Sequence, residues 1–307
     1  MNTIYTTTIT DEARRRGIII EVLDPITPIF VLRHNSSVLR CYNSLTDRVG
    51  AATFHLAQNK ASANRFLASQ NFSVPAQALY ENAAQALEFL RRQRRIVVKP
   101  AMQWGGRGVS VDVRTPAELR AAVAFARRYE DQIVLEQMVA GEDQRIILVG
   151  GRLVAAILRR PAAVTGDGRH TVWQLIHRQN SSEIRRDPSH LIPVNAETRR
   201  NLTRLGTTPE AVPPAGRRVT VRLTSNYHTG GDVTIITGAV DPELVCIAER
   251  VVQAFGLPIA AVDFLVDRRS GRHWIIEISP DMAISPPEGQ EVARRFLDHL
   301  FPETASG

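Results

Sequence analysis

Two short apolar segments separated by five polar residues constrain this chain more than any other feature. Residues 260–267 read Ala-Ala-Val-Asp-Phe-Leu-Val-Asp, and residues 273–279 read His-Trp-Ile-Ile-Glu-Ile-Ser. Both are rich in β-branched and aromatic residues, and the link Arg268-Arg269-Ser270-Gly271-Arg272 has the composition of a hairpin loop. If Asp267 pairs with His273, Asp263 falls directly opposite Glu277. Opposed residues share one face of a sheet, with Cβ atoms about 4.5–5.5 Å apart. Two carboxylates held that close between apolar neighbours repel unless a cation sits between them. Magnesium held by carboxylates and substrate phosphates satisfies this geometry. Ser279 shares the Glu277 face by strand alternation. The alternative, both acids facing solvent, sits poorly with Trp-Ile-Ile-Glu-Ile, which reads as buried on both faces.

The basic residues carry the second constraint. Lys60 and Lys99 are the only lysines among 38 Lys and Arg residues, the other 36 being arginine. A lysine is a compact point charge suited to a single phosphate oxygen, whereas arginine is a planar fork. Lys60 opens the helical pattern of residues 60–70. Lys99 ends an apolar strand, Ile96-Val97-Val98, and runs into Gln103-Trp104-Gly105-Gly106-Arg107-Gly108-Val109. A strand ending in lysine before a glycine-rich loop is a phosphate-binding design, because glycines let backbone N–H groups approach the oxygens. The order differs from a P-loop and from a dinucleotide fingerprint. Taken alone, the loop reads more readily as a flexible turn.

The remaining pattern is that of an α/β protein. Residues 18–23 and 28–32 read as strands of a small N-terminal lobe ending near residue 57. A helix near 82–93 precedes the Lys99 strand. Thr115-Pro116-Ala117-Glu118 is a helix start, with threonine as cap, proline at the first position and glutamate at the third. Strands follow at 133–139, 146–149 and 153–157, the last two forming a hairpin around Gly150-Gly151. Residues 178–217 are polar and Arg/Pro-rich, with one helical piece near 196–205. Such a segment is either substrate-binding or a solvated insertion. A helix at 240–256 with Gly256 as its C-cap leads into the acidic hairpin, and an amphipathic helix spans about 288–300.

Composition excludes several classes. No stretch approaches 18 unbroken apolar residues, so a transmembrane helix is not expected. The polar, Thr-rich start lacks a signal-peptide pattern. Two cysteines, Cys41 and Cys246, make no disulfide framework and fit a reducing cytoplasm. The net charge of +7 points to an anionic partner. The arginines are dispersed among acids without a nucleic-acid module, and His170, His177, His190 and His228 lack metal-ligand spacing. Two further segments combine polar groups with turns. Glu136-Gln137-Met138-Val139-Ala140-Gly141-Glu142-Asp143 links two strands, and its backbone can meet an adenine edge. Arg222-Leu223-Thr224-Ser225-Asn226-Tyr227-His228-Thr229-Gly230-Gly231 joins a cation, an amide and a flexible loop, as a negatively charged intermediate requires. Gly166-Asp167-Gly168-Arg169-His170-Thr171 reads as a turn and helix cap.

Each signal is ambiguous alone, but their order is not. Together they resemble the ATP-grasp superfamily of ADP-forming carboxylate–amine ligases over roughly residues 10–303. The strings VVKPAMQWGGRGV, LEQMVAGEDQRIILVGG, RLTSNYHTGG and IAAVDFLV…WIIEIS are similar to the ATP-grasp portions of cyanophycin synthetase and of the bifunctional bacterial glutathione synthase. The resemblance implies an α/β (α+β) ATP-grasp fold, with two α+β lobes clamping ATP behind a short N-terminal lobe. The expected divisions are 1–57, 58–143 (small lobe with the glycine-rich lid) and 144–307 (large lobe with the metal and substrate site). It implies that Lys60 and Lys99 contact the ATP phosphates and that Gly105, Gly106 and Gly108 close over them. Glu136 would read the adenine amino group, with Met138 and Val139 at the ring edge, and Asp143 would hold the ribose. Arg145, Arg222 and Asn226 would sit near the transferred phosphate, and Asp263, Glu277 and Ser279 would bind Mg2+. The implied activity is ATP-dependent peptide or amide bond formation on an amino acid or small peptide through an acyl phosphate; a non-catalytic ATP-binding module is the alternative. Small-molecule substrates are the expected partners, without nucleic acid or membrane, and a homodimer is compatible. Three positions depart from the relatives. Ser279 stands where the family usually has asparagine, Pro280-Asp281-Met282 replaces an Asn-x-x-Pro-Gly-like turn, and His228 stands where a small residue is usual. The sequence also holds no Mur-ligase-like second half.

Overall fold

A computed structural model of the protein describes residues 4–24, 26–282, 284 and 289–305. Helix α1 (Ile4–Arg15) leads into a four-stranded antiparallel sheet, β1 (Ile19–Val22), β2 (Ile29–His34), β3 (Ser37–Tyr42) and β4 (Leu45–Thr46). Two short helices follow, α2 (Ala51–Gln58) and α3 (Lys60–Ser69). Asn59 lies between them and caps α3, accepting from the backbone N–H groups of Ala61 and Ser62.

The small lobe is built from β5 (Gln77–Leu79), α4 (Ala83–Gln93), β6 (Ile96–Pro100), β7 (Ser110–Val113), α5 (Pro116–Arg127) and β8 (Ile133–Gln137), with strand order β5-β8-β6-β7. Thr115 and Glu118 form the expected capping box, with Pro116 at the first helical position. One face of this sheet packs Ile96, Val98 and Leu135 against Phe89 and Leu90 of α4 and Leu119 and Val123 of α5. Lys99 and Glu136 alternate with those apolar residues, so they occupy the other face.

The large lobe begins with the β9 (Glu142–Val149) and β10 (Arg152–Arg160) hairpin. The 178–217 region belongs to a separate packing unit. It comprises β11 (Ala163–Thr165), α6 (Val172–Glu183), α7 (Ala196–Arg204) and β12 (Arg218–Thr220) around Val164, Ile176, Ile192, Leu202 and Val221. It is therefore folded rather than a solvated insertion. After β13 (Asp232–Ile235) come α8 (Pro242–Phe255), β14 (Ile259–Val266), β15 (His273–Ser279) and α9 (Gly289–Leu300). Residue 288, the expected start of the last helix, lies outside the described residues.

The large sheet runs β13-β10-β9-β14-β15 and is covered on both sides. Ile147, Val149 and Ala261 face α1, the N-terminal sheet and Phe296, Leu297 and Leu300 of α9. Ile146, Leu148 and Val262 face Leu244, Val251 and Phe255 of α8, together with Ala63 and Leu67 of α3. This double burial explains the nearly continuous apolar runs of β9 and β14. Helix α3, which carries Lys60, packs mainly with the large sheet. The N-terminal lobe shares one core with that sheet and α9.

The acidic hairpin forms with Asp263 opposite Glu277, as the sequence predicts. Its loop end differs: Val266, not Asp267, pairs with His273, and a bulge at Ile276 absorbs the offset. The cause is local. The Asp267 carboxylate accepts from the Arg269 backbone N–H at 3.0 Å and the Ser270 hydroxyl at 2.6 Å, closing the turn instead of extending the ladder.

Candidate active site

The site lies where the small lobe's open face meets the ends of β9, β10, β14 and β15. Lys99 and Glu136, from β6 and β8, form a buried ion pair at 2.7 Å. The amide of Gln77, opposite Glu136 on β5, donates to the same carboxylate oxygen at 2.5 Å. Lys60, at the start of α3, donates to the Gln103 carbonyl at 2.6 Å and stands 3.2 Å from Glu277 Oε1. Both lysines are thus held by carboxylates beside the glycine-rich loop.

That loop is folded down onto the 224–231 segment. Gly105, Gly106 and Gly108 all have φ near +70°, the left-handed region that a side chain resists. Space is tight as well. A Cβ on Gly106 would stand 3.2 Å from Thr229 Cγ2, and one on Gly108 would stand 2.8 Å from Pro100 Cγ. Trp104 meets the His228 ring edge-on at 5.8 Å, and Arg107 stacks over Trp104 at 4.2 Å. Asn226 caps the short turn at Tyr227–Thr229 by accepting from the His228 N–H at 2.8 Å.

On the large sheet, four charged side chains interlock. Arg145 donates to Asp263 with Nε and Nη2, at 2.7 and 2.9 Å. Arg159 bridges Asp143 at 2.6 Å and Asp263 at 2.9 Å. The strand register explains the cluster. Arg145 lies opposite Asp263, and Arg159 lies opposite Asp143. Burial alone would raise the Asp263 carboxyl, but Arg145 and Arg159 outweigh it and hold it below the usual carboxylate range. Burial and the neighbouring Asp263 push the Asp143 carboxyl up, against the pull of Arg159. Burial would likewise lower Arg159, yet its two aspartates raise it.

The expected site residues are largely brought together, with different partners from those expected. Glu136 turns its carboxylate to Lys99. Met138 uses its backbone N–H on the Arg95 carbonyl at 3.0 Å. Val139 lies on the same connection before β9. Asp143 is engaged by Arg159. Arg222 is almost fully buried and donates to Thr198 Oγ1 at 3.0 Å and Asn195 Oδ1 at 3.4 Å, while its Nε has no partner among the described residues. Burial lowers its pKa. Arg159 and Gln77 contact these expected residues and were not singled out by the sequence reading. No sequence signal marked either: Gln77 reaches Glu136 through the pairing of β5 with β8, which only the structure shows.

The expected metal ligands are oxygen donors, as magnesium requires. Asp263 and Glu277 face each other, and Ser279 Oγ lies 3.4 Å from Arg145 Nη2. Among the described residues, no group of three or more His, Cys, Asp or Glu is placed to hold a metal. Two carboxylates fit a magnesium whose other ligands are phosphates and water. Arg145 and Arg159 engage both oxygens of Asp263, whereas Lys60 meets one oxygen of Glu277, so Glu277 is the more available ligand.

Residues 59–183 match the ATP-grasp domain of prokaryotic glutathione synthetase. The chain is 33% identical over 286 residues to cyanophycin synthetase of Nostoc sp., covering 87% of this chain and 32% of that protein. It is 27% identical over 319 residues to the glutathione biosynthesis bifunctional protein of Streptococcus thermophilus, covering 96% and 42% respectively. The fold matches a bifunctional glutathione synthetase from Pasteurella multocida with a TM-score of 0.65 at 22% identity, over 97% of this chain and 43% of that one. Residues 59–183 are an ATP-grasp domain, and the chain has the ATP-grasp fold. A D-alanine–D-alanine ligase from Bacillus anthracis shares the fold at a TM-score of 0.52 and 12% identity, over 81% and 69% of the two chains. The chain spans about a third to two fifths of the length of two of these relatives, cyanophycin synthetase and the glutathione biosynthesis bifunctional protein. The acidic hairpin and the glycine-rich turn at Gly105, Gly106 and Gly108 are elements that the sequence motifs had indicated.

Proposed function

We propose that this chain is an ATP-dependent, ADP-forming carboxylate–amine ligase acting on an amino acid or small peptide. The observation that carries the reading is the pairing of its only two lysines. Lys60 and Lys99 are held by Glu277 and Glu136 beneath a docked glycine-rich loop. Anionic phosphates entering there replace carboxylate partners for both lysines, so the cations are pre-positioned for a nucleotide. The relatives are named for glutathione biosynthesis and cyanophycin synthesis, which supports amino-acid or peptide substrates.

In this reading a substrate carboxylate oxygen attacks the γ-phosphorus of ATP, and the bond from that phosphorus to the β–γ bridging oxygen breaks to release ADP. An amine nitrogen then attacks the acyl-phosphate carbon, phosphate leaves, and the nitrogen loses a proton. The chain contributes positioning and charge neutralisation more than covalent chemistry. Lys60 and Lys99 hold phosphate oxygens. Arg145, with Arg222 and Asn226 on the facing loop, stabilises charge on the transferring group. Gly105, Gly106 and Gly108 let the lid backbone approach and exclude water, since acyl-phosphate hydrolysis is the competing loss. Met138 and Val139 border the base, and Asp143 the ribose. Glu277, with Asp263 and Ser279 beside it, would hold magnesium, which would neutralise charge on the phosphates when bound.

The test is ADP release from the purified protein with Mg-ATP across pools of amino acids and dipeptides, with Lys99→Ala as control. A pool that raises ADP above the variant supports the ligase and narrows the substrate. A second reading, a non-catalytic ATP-binding module, draws on the engagement of Asp263 by two arginines. ATP binding with no ADP formation in any pool would favour it.

A further inference from the structure

Helix α7 carries interactions in two directions that the proposed chemistry does not use. Toward the small lobe, Arg200 donates to the backbone carbonyls of Val111 and, at 3.5 Å, Asp112, both on β7, the strand that leaves the glycine-rich loop. Arg204 bonds the Glu118 carboxylate and lies 3.6 Å from Asp112 Oδ2. Glu197 accepts from Ser110 at 3.4 Å and is gripped by Arg200 at 2.7 and 2.8 Å. Toward the large lobe, the same helix offers Thr198 Oγ1, and its cap offers Asn195 Oδ1, to the guanidinium of Arg222.

Two observations distinguish this contact from ordinary packing. Asp112 is a buried non-glycine residue at φ +61°, a conformation that persists only where its surroundings impose it. Its carboxylate is held by Arg95, Arg114 and Arg204. The junction of α7 with α5 also surrounds a cavity of about 760 Å³ lined by Glu118, Trp173, Asn195, Arg199, Arg200 and Arg204. The lobes are therefore joined here through ion pairs and carbonyl contacts around open space. Such a joint can release without exposing a core.

We propose that α7 is a positioning strap that couples docking of the glycine-rich lid to the placement of Arg222. Arg200 and Arg204 fix the exit strand of the lid, and Thr198 with Asn195 fixes Arg222 from the opposite side of the same helix. The inference rests on the ligase reading for its purpose, though not for its geometry. Arg200 is the main positioning residue, because it bonds two lid-strand carbonyls, whereas Arg204 bonds only that of Asp112, at 3.4 Å.

The experiment is amide hydrogen exchange on the full chain, without nucleotide and with Mg2+ and a non-hydrolysable ATP analogue. Arg200→Met removes the strap, and Arg199→Met alters the neighbouring arginine, which contacts Glu210 and Trp173 instead. Arg200→Met is expected to speed exchange at least about tenfold in residues 104–113 and also in residues 221–229, while α8 and β14 keep their protection. Arg199→Met leaves both segments unchanged. Glu118→Gln keeps the capping box but removes the charge facing Arg204, so it gives the same pattern more weakly and serves if Arg200→Met does not fold. Unchanged exchange in 104–113, a response in 104–113 without one in 221–229, or uniform acceleration through α8 and β14 would each overturn the strap. Exchange in nucleotide-free protein reads the strap even if the chain makes no ADP, whereas ADP release by the parent protein reads the ligase assignment independently.

Discussion

Replacing Lys99 with methionine tests the central ion pair and separates its two consequences. Lys99 and Glu136 are 5% and 4% exposed and 2.7 Å apart. Methionine preserves most of the lysine stem and removes the charge. Glu136 then remains buried with the Gln77 amide as its one side-chain donor. Breaking a buried pair from one side costs about 3–5 kcal/mol, a large part of an ordinary domain's stability of about 5–15 kcal/mol. At a urea slope of about 1–3 kcal/mol per molar, the unfolding midpoint drops by about 1 M or more. Lys99→Met with Glu136→Gln leaves no buried charge, so its stability returns to within about 1 kcal/mol of the parent. ADP release behaves differently. It falls at least about a hundredfold in both the single and the double variant, because the phosphate cation is missing from each. Urea denaturation followed by circular dichroism and a coupled ADP assay supply the two readouts. A single variant as stable as the parent would show that the pair is not buried as described. A double variant that still turns over ATP would refute the phosphate role of Lys99.

Three further outcomes follow from the geometry. Gly108→Ala, at φ +68° and with 2.8 Å to Pro100 Cγ, adds about 1–2 kcal/mol of backbone strain; a KM for ATP that stays at the parent value in the folded variant contradicts the lid assignment. Glu277→Gln is expected to raise the Mg2+ concentration for half-maximal activity at least about tenfold, more than Asp263→Asn does, because Arg145 occupies Asp263; an unchanged magnesium titration removes Glu277 from the metal site. Burial holds His228 below the usual histidine range, with Asp187 pulling upward and Arg145 and Arg107 reinforcing the depression. The unfolded chain therefore takes up the proton first, at about pH 6.5, and stability falls as pH drops through that region toward the lower folded-state value. His228→Ser flattens this slope, which urea midpoints between pH 5 and 8 would reveal.

The local chemistry of the chain was readable because it depends on near neighbours. The capping box at Thr115 and Glu118, the C-cap at Gly256, the hairpin at Gly150-Gly151 and the strand ending in Lys99 follow from turn geometry, side-chain reach and alternation. The pairing of Asp263 with Glu277 was expected from a loop register that the structure corrects, and it holds because the bulge at Ile276 shifts the strand by one residue. Helix α1 and strands β3 and β4 were not, since the Thr-rich start has weak helical preference and gains its order from packing on α9 and the large sheet.

Partners of buried charges lay beyond the reach of the sequence. Without a bulge at Val154, Arg159 would not stand opposite Asp143, and a bulge at Ile276 likewise resets the β15 register. A one-residue offset reverses which face a side chain takes, so arginine contacts with aspartate cannot be read from spacing when a bulge intervenes. The pairing of Lys60 with Glu277 spans the whole large-lobe sequence, and α7 reaches β7 from a segment that composition marks only as polar. Residue types and local spacing determined that this chain would carry a lysine-bearing strand running into a glycine-rich loop, and an acidic hairpin. Tertiary structure alone decided which cation meets which carboxylate, because that choice depends on strand register and lobe packing between residues far apart in the chain.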